Sequence, residues 1–362
     1  MRTSFQICIL SLVALIIGVA APRVNAQCSA DLNADHSVTA QDLAIMLAFW
    51  GPTTTFAAAD INQDQIVNAQ DLAMLLAGWG PCPPADLSWA TVLEQDPNPA
   101  VVTDANFRQR MIATGLPWRV RDNGTGIEML LIPGGTFTMG CNASTQYGCP
   151  VSEESPTHQV TLAQAFYIGR YEVTQAQWTA KMGSNPSYFI PANGYSSDTT
   201  KPVERVSWNM IAGADGFISG TGLRLPTEAE WEYAYRAATT TAFHSYPAQP
   251  NGFNDDTLLG NIAWYSGNSG GQTHAVGGKF ANGLGLHDMS GNVFEWCQDW
   301  YGAYASGSVI NPTGPTTGTY RLLRSGGWYE YPGAFYCRAS KRNAGLPVII
   351  NYDVGFRVAR NP

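Results

Sequence analysis

Charged side chains are scarce in this chain of 362 residues. Asp, Glu, Lys and Arg make up 13% of it, which is about half of the usual share. Acidic residues outnumber basic ones by 28 to 20, so the formal net charge at pH 7 is −8. This balance argues against a nucleic-acid-binding protein, which needs a basic face, and it suits a protein that collects cations.

Long apolar runs are lacking after residue 26, so no membrane span is expected in the mature chain. The first 26 residues have the pattern of a secretory signal: Arg2, an apolar run over residues 7–21, and Val24-Asn25-Ala26 before a cleavage point. The alternative is a membrane anchor, but the run is short for a span of ~20 residues. We predict that residues 1–26 are a cleaved signal peptide and that the protein is secreted, periplasmic or on the cell surface.

Cysteines are few, and their number is even once the signal peptide is removed. An even count in an exported chain suggests disulfides. The six that remain are Cys28, Cys82, Cys141, Cys149, Cys297 and Cys337. The first two bracket the first module, and the next two bracket a short loop. If each of these pairs forms a disulfide, counting leaves Cys297 and Cys337 to form the third.

Glycine and tryptophan are plentiful, with 37 and 11 residues. Few charges together with many aromatic residues predict an irregular, loop-rich domain that is held by aromatic packing. The length predicts two domains, because single cores stop growing efficiently near ~250–300 residues. Residues 83–123 are rich in proline and polar residues, so we interpret them as a linker.

An internal repeat occupies the first part of the mature chain. Residues 31–51 (DLNADHSVTAQDLAIMLAFWG) and 60–80 (DINQDQIVNAQDLAMLLAGWG) match in register. Each copy has oxygen donors at loop positions 1, 3, 5, 9 and 12 and a backbone carbonyl at position 7, which is the spacing of an EF-hand calcium loop. The predicted calcium ligands are Asp31, Asn33, Asp35, Ser37, Thr39, Asp42, Asp60, Asn62, Asp64, Ile66, Asn68 and Asp71. The alternative is a pair of helix N-caps with Asp and Asn in turns.

This repeat resembles the type I dockerin module, in which each of two such loops leads into a helix. The resemblance implies a small all-α domain with bound calcium, which we place at residues 27–82. Val38 and Val67, at position 8 of the loops, are expected to pair the loops back to back. Dockerins bind cohesin partners through residues just after position 9, which here are Ala40, Gln41, Ala69 and Gln70. The alternative is that calcium only folds the module.

Short apolar runs alternate with Gly, Asn and Pro turns from residue 127 onwards. Residues 129–132 and 137–140 predict a strand and its return strand around a Pro-Gly-Gly turn. Residues 174–182 have helical spacing, and Thr227 with Glu230 forms a capping box that begins a further helix. Strands and short helices with long loops make an α+β domain.

Seven motifs follow one another in this second part: IPGGTFTMG, EVTQAQW, KPVERVSW, RLPTEAEWEYAYRA, GLGLHDMSGNVFEW, RSGGW and VGFRVAR. In this order they resemble the formylglycine-generating-enzyme (sulfatase-modifying factor) family over about residues 130–360. The resemblance implies a C-type-lectin-like fold that is low in regular structure, for a domain that we place at residues 124–362.

Catalytic members of that family oxidise a sulfatase cysteine to formylglycine with O₂, using a copper-binding cysteine pair shortly after the Gly-Gly-Ser motif. Here the matching segment, RSGGWYEYPGAFYCRASKR, holds one cysteine, Cys337, at neither catalytic position. Two thiolates suit Cu(I), whereas a lone thiol does not form such a site. Copper is therefore not expected, and we assign no catalytic residue.

The stretch DMSGNVFEW resembles the family's structural calcium loop. The resemblance implies Asp288, Gly291, Val293 and Glu295 as ligands, since a cation relieves the cost of burying acids among aromatic residues. The alternative is that these acids lie at the surface. Asn261-Ile262 resembles half of a second calcium site, whose downstream Asp is missing.

Three acids lie on the helix of the LPTEAEWEY motif, namely Glu228, Glu230 and Glu232. A paired-carboxylate hydrolase is one interpretation of them. We favour helix capping and salt bridges to Arg224 or Arg236.

These features favour an exported accessory protein. Its lectin-like groove, near residues 328–338, is expected to hold a peptide or a glycan, and its repeat to dock on a cohesin-like partner. The alternative is an active formylglycine-generating oxidase that modifies a cysteine of exported sulfatases. A different enzyme on the same scaffold is a third hypothesis.

Overall fold

The computed structural model describes residues 30–32, 37–52, 59–62, 66–81, 86–141, 147–149, 152–329 and 333–362. The expected signal peptide, Cys28 and Cys82 lie outside these residues. So do three expected calcium ligands, Asn33, Asp35 and Asp64. Among the described residues, none of the helices combines the length and the apolar character that crossing a bilayer requires.

The two repeats form matching units. The first contains β1 (Ser37–Val38), α1 (Ala40–Ala48) and β2 (Gly51–Pro52), and the second contains β3 (Ile66–Val67), α2 (Ala69–Ala77) and β4 (Gly80–Pro81). Each helix begins at a capping box, with Thr39 and Asp42 in one repeat and Asn68 and Asp71 in the other. The module was expected to be all-α, and its main elements are indeed the two helices. Short ladders of two-residue strands connect the two repeats.

The pairing of these short strands corrects one expectation. β1 pairs with β4, and β3 pairs with β2, so each loop is bonded to the chain that follows the helix of the other repeat. Val38 and Val67 do not pair the loops back to back, although both are fully buried in one small core. Gly51 and Gly80 supply the turn out of each helix at φ +116° and +119°, a conformation that side chains disfavour.

The large domain consists of short elements. Its helices are α3 (Ala105–Ala113), α4 (Gln175–Met182), α5 (Trp208–Ala212), α6 (Glu228–Arg236) and α7 (Gly333–Tyr336), with 3₁₀ turns at Pro191–Asn193 and Asp256–Asn261. Its strands are β5 (Ala90–Glu94), β6 (Arg119–Asp122), β7 (Glu128–Ile132), β8 (Gly135–Met139), β9 (His158–Leu162), β10 (Phe166–Gly169), β11 (Ala263–Trp264), β12 (Ser290–Gly291), β13 (Phe294–Trp300), β14 (Val309–Ile310), β15 (Arg321–Arg324), β16 (Asn343–Gly345), β17 (Val354–Gly355) and β18 (Ala359–Arg360).

Three sheets organise these strands. A five-stranded antiparallel sheet has the order β18-β10-β7-β6-β5, a four-stranded sheet has the order β16-β15-β13-β17, and a three-stranded sheet has the order β14-β9-β8. β8 pairs with β9 and not with β7, so the expected hairpin around the Pro-Gly-Gly turn is wrong. Gly134 lies so close to Leu162 O that a Cβ would meet it at 2.8 Å, and this contact directs β8 towards β9.

The expected linker is mostly part of the large domain. Residues 90–122 contain β5, α3 and β6, which form one edge of the five-stranded sheet and a helix beside it. Phe107, Met111 and Val120 are buried in the main core. The polar and proline-rich composition concealed these elements because only every third or fourth side chain enters the core.

Aromatic packing holds the core, as the composition predicted. Trp178, Trp231 and Trp296 are fully buried, and the ring of Trp178 stacks on Phe217 at 5.4 Å. The capping box of Thr227 and Glu230 begins α6 as predicted. The result is the mixed α+β domain with little regular structure that the sequence predicted.

Candidate functional site

The last acid of each calcium-type loop organises the loop backbone. The Asp42 carboxylate accepts from Leu32 N at 2.7 Å and from Thr39 N at 2.8 Å. The Asp71 carboxylate accepts from Asn62 N at 3.1 Å and from Asn68 N at 2.9 Å. Both acids are fully buried. A buried carboxylate costs free energy unless donors or a cation satisfy it, and this donor set of carboxylates and carbonyls is the kind that calcium takes.

The expected docking residues lie on the surface of the repeat module. Ala40, Gln41, Ala69 and Gln70 are exposed in the first turn of their helices. The sequence analysis missed a second repeated surface at the other end of the helices. Leu47 and Trp50 in the first repeat match Leu76 and Trp79 in the second, and all four are about half exposed.

The segment after Gly326 and Gly327 contains a thiol that is inaccessible. Cys337 is fully buried in a small apolar cluster with Phe243 and Ile262, whereas Cys297 is buried in the main core. Both are free thiols, so the expected disulfide between them is wrong. Burial raises the pKa of Cys337 to about 12 and that of Cys297 well above its usual value, which disfavours the thiolate form of each. The disulfide between Cys141 and Cys149 is present as predicted.

A group of aromatic residues beside Gly327 forms what we call the tyrosine patch. Its members are Tyr188, Tyr195, Trp328, Tyr329 and Tyr352. Trp328 is buried, while Tyr188, Tyr329 and Tyr352 are 39%, 60% and 43% exposed. The ring of Trp328 lies 5.2 Å from that of Tyr329 and 5.9 Å from that of Tyr352, and Tyr188 lies 5.7 Å from Tyr195. The patch presents rigid rings with polar hydroxyl groups, a combination that suits recognition surfaces.

A buried acid fixes one side of the tyrosine patch. The Glu204 carboxylate accepts from Tyr188 N at 2.9 Å and from Phe189 N at 3.1 Å. Burial raises the pKa of Glu204 to about 7, although these amide donors oppose the rise. On the other side, Trp328 Nε1 donates to Tyr352 O at 2.9 Å. These hydrogen bonds therefore hold in place the backbone segments that carry Tyr188 and Tyr352.

The expected calcium loop contains a competing cation. Glu295 is fully buried, and both of its oxygens accept from Arg357 at 2.6 Å. Asp288 is also buried, and Oδ2 accepts from Gly277 N at 2.6 Å. Among the described residues, no group of three or more His, Cys, Asp or Glu side chains is arranged to hold a metal ion. Arg357 neutralises the acid for which the sequence required a calcium ion, so calcium at Asp288, Gly291, Val293 and Glu295 stays a prediction.

The half-site at Asn261 also faces a cation of the chain. Lys279 Nζ donates to Gly260 O at 2.5 Å and lies 3.8 Å from the ring centroid of Trp264. The carboxamide of Asn261 donates to Leu258 O at 2.9 Å. An ammonium group at this point does not favour a second cation.

The acids of α6 are held in ion pairs. Glu230 pairs with Arg224 and Glu232 with Arg236, as we favoured from the sequence. Glu228 is bound by Arg342 at 2.7 and 2.9 Å, which the sequence did not indicate because the two residues are far apart in the chain. Each of these three carboxylates is engaged by a guanidinium group, so the paired-carboxylate hydrolase interpretation finds no support here.

Comparisons with known proteins identify both parts of the chain. The sulfatase-modifying factor enzyme 1-like domain model matches residues 115–362, and the dockerin type I domain model matches residues 29–77. The chain is 29% identical over 284 residues to a formylglycine-generating enzyme of Streptomyces coelicolor, covering 64% of this chain and 88% of that protein. It is 32% identical over 267 residues to a serine/threonine-protein kinase, pkn1, of Chlamydia pneumoniae, covering 65% of this chain and 38% of the kinase.

A solved structure has the same fold. Treponema denticola variable protein 1 superposes with a TM-score of 0.54 at 32% sequence identity, over 65% of this chain and 95% of that protein. The match to the kinase spans well under half of that protein's length, so it concerns a part of the kinase. The family model, in contrast, covers most of the residues that form the large domain. The chain therefore belongs to the sulfatase-modifying factor family and carries a type I dockerin module ahead of the family domain.

Proposed function

We propose that this protein is an exported binding or accessory protein of its family and not an oxidase. The dockerin module folds around calcium and attaches the chain to a cohesin-like partner. The large domain holds a peptide or a glycan at the tyrosine patch. The observation that carries the proposal lies after Gly326 and Gly327, where this chain has exposed aromatic rings and a single, fully buried thiol.

The chemistry of the thiol supports this proposal. A copper oxidase of this family needs two thiolates that hold Cu(I) and a surface that admits the substrate thiol. Cys337 has no exposed surface, and its raised pKa keeps it protonated. Cys297 belongs to a different apolar cluster, so the two sulfurs do not act as a pair at one surface.

The form of the tyrosine patch supports the binding role. Tyr and Trp side chains give a large, amphipathic contact area and lose little conformational entropy on binding. Here Glu204 and the Trp328 indole already hold the backbone segments that carry the rings. A surface that is fixed before the ligand arrives loses less free energy to ordering when it binds.

Removal of two tyrosines tests the binding role. The protein is first screened against a glycan array and a displayed peptide library, and the strongest binder is then titrated by calorimetry. We expect the double variant Tyr329→Ala, Tyr352→Ala to lose roughly 2 kcal/mol of binding free energy, which is about 30-fold in Kd. Tyr320→Ala is the matched control, because Tyr320 is 48% exposed outside the patch. Unchanged affinity in the double variant, or no binder in either screen, rejects the proposed site.

Calcium removal tests the dockerin module. We expect the two loops of the module to bind one calcium ion each and the module to lose its thermal transition in EGTA. Ligand binding at 100 times Kd stabilises a fold by about 2.7 kcal/mol, and modules this small couple folding to metal binding. Calorimetry and circular dichroism of the full chain report both effects.

Single substitutions assign the two ions. Asp31→Ala and Asp60→Ala are each expected to remove the ion of one loop, so that the stoichiometry falls by one, and to leave the transition of the large domain unchanged. Asp86→Ala, an exposed acid outside both loops, is the matched control. Helicity that is the same in EGTA and in calcium shows that the ions do not fold the module.

A further inference from the structure

A cavity that does not involve the tyrosine patch lies between the beginning of α6, the end of β13 and the segment 302–315. Its volume is about 260 Å³, slightly below the ~300–1,000 Å³ of sites for drug-sized ligands. Most of the wall is apolar and consists of Met139, Ala229, Trp300, Val309, Pro312 and Pro315. The polar lining residues are His158, Glu228, Asp299, Tyr304, Thr313 and Arg342.

Asp299 is the distinctive polar group of this cavity. It is 3% exposed, and its Oδ2 accepts from Glu228 N at 2.9 Å. Its own backbone amide also donates to the carboxylate, and no side chain of the described residues does so. A buried carboxylate in this situation is unfavourable unless it takes a proton or a cationic partner.

The nearby arginines are bound to other groups. Arg342 binds Glu228, and Arg324 binds Glu232 at 2.6 Å. Arg321 donates to Gln298 O and lies between two indoles, 3.7 Å from the ring centroid of Trp208 and 3.5 Å from that of Trp300. No guanidinium of the described residues forms a salt bridge with Asp299.

The charged groups around Asp299 leave its carboxylate without a neutralising partner. Glu228 and Glu230 face it from α6, Arg321 from β15, and His158 and Tyr304 line the same cavity. Burial and the negative charge of Glu228 raise the pKa of Asp299 to about 7. His158 Nδ1 lies 3.1 Å from Pro156 O, and its ring packs on that of Tyr304 at 4.8 Å. The Tyr304 hydroxyl donates to Glu228 at 3.3 Å. Arg342 lines the cavity too, but it is bound to Glu228, so Asp299 is the carboxylate left without a basic partner.

We propose that this cavity binds a small organic ammonium ion, with the Asp299 carboxylate as its anchor. The ammonium group donates to the carboxylate. The ring of Tyr304 does not contribute, because the Arg342 guanidinium already lies 4.1 Å from its centroid. The apolar body of the ligand packs against Val309, Pro312 and Pro315. This site is independent of the tyrosine patch, so the failure of either proposal leaves the other standing.

The test compares two molecules of the same shape. Benzylamine and benzyl alcohol are titrated into the full-length exported chain by calorimetry and by NMR. We expect the amine to bind at millimolar or lower concentration and the alcohol to bind roughly tenfold more weakly or not at all, since each tenfold is 1.4 kcal/mol. Equal affinity for the two, or no binding of the amine, overturns the proposal.

Variants and pH locate the anchor. Asp299→Asn is expected to weaken amine binding by at least about tenfold, while Asp215→Asn, an exposed acid elsewhere, has no effect.

Affinity for the amine rises between pH 6 and pH 8 as Asp299 loses its proton, and His158→Gln keeps this rise. A pH dependence that vanishes in His158→Gln, or full affinity in Asp299→Asn, contradicts the assignment. Should Asp299→Asn not fold, Ala303→Trp, at the exposed rim of the cavity, blocks the site instead and is expected to abolish binding.

Discussion

The purified protein is expected to leave a sulfatase-type cysteine peptide unconverted, whether copper is added or not. Catalytic members of the family activate O₂ at Cu(I), which two thiolates and the substrate thiol hold together. Here Tyr329 occupies the surface after Gly326 and Gly327 at 60% exposure, and Cys337 is fully buried. Phenol and carboxylate oxygens are hard ligands that hold Cu(I) poorly. Mass spectrometry of the peptide detects the aldehyde product directly.

Two controls make a negative result meaningful. The Streptomyces coelicolor enzyme, assayed in parallel, shows that the peptide and the copper are competent. Cys337→Ser is the internal control, since a buried, protonated thiol contributes nothing to a surface reaction. Copper-dependent product from this protein that disappears in Cys337→Ser shows that the thiol becomes accessible and that the chain is an oxidase after all.

Local signals predicted local structure well. The capping boxes at Thr39, Asn68 and Thr227 begin helices as expected, because each box depends on residues only three positions apart. The pairing of distant segments was less predictable. β8 pairs with β9, and the segment taken as a linker forms β5, α3 and β6, because these contacts depend on a sheet whose other strands lie far away in the chain.

The candidate sites show the same limit. The tyrosine patch brings together side chains near residues 190, 328 and 352. No spacing in the sequence predicts that these residues lie close together. Counting cysteines suggested a bond between Cys297 and Cys337, yet each belongs to a separate apolar cluster. Even numbers permit a disulfide, but only the positions of the two Cα atoms decide whether one forms.

Substitution of Arg357 is expected to be among the most destabilising single changes in the large domain. Its guanidinium binds Glu295 through two contacts of 2.6 Å and donates to Gly169 O at 3.0 Å and to His287 O at 3.0 Å. Arg357 and Glu295 have no exposed surface. Removal of one partner of a buried pair leaves an uncompensated charge, which typically costs 3–5 kcal/mol.

The neighbouring acids increase this cost. Glu172 is fully buried, and burial together with the charge of Asp288 and Glu295 raises its pKa well above the usual value. Arg357→Met therefore leaves three buried acids without their guanidinium. We expect urea unfolding to show a loss of about 3–5 kcal/mol, against less than about 1 kcal/mol for Arg121→Met, because the side chain of Arg121, which pairs with Glu128, is half exposed. A loss no larger than that of Arg121→Met contradicts the ion pair.

Adding calcium to the variant then shows whether the loop can bind a calcium ion in place of the Arg357 guanidinium. If the stretch from Asp288 to Glu295 binds calcium, the carboxylates released in Arg357→Met bind the ion, and millimolar calcium restores part of the lost stability. The double variant Arg357→Met, Glu295→Gln removes the freed charge and one expected ligand, so it recovers stability without calcium and responds to the ion weakly. The measurement must be made on the transition of the large domain, because the dockerin module responds to calcium separately. A large loss in Arg357→Met that calcium leaves unchanged means that the guanidinium alone neutralises Glu295, and the calcium ligands expected at Asp288, Gly291, Val293 and Glu295 are then wrong.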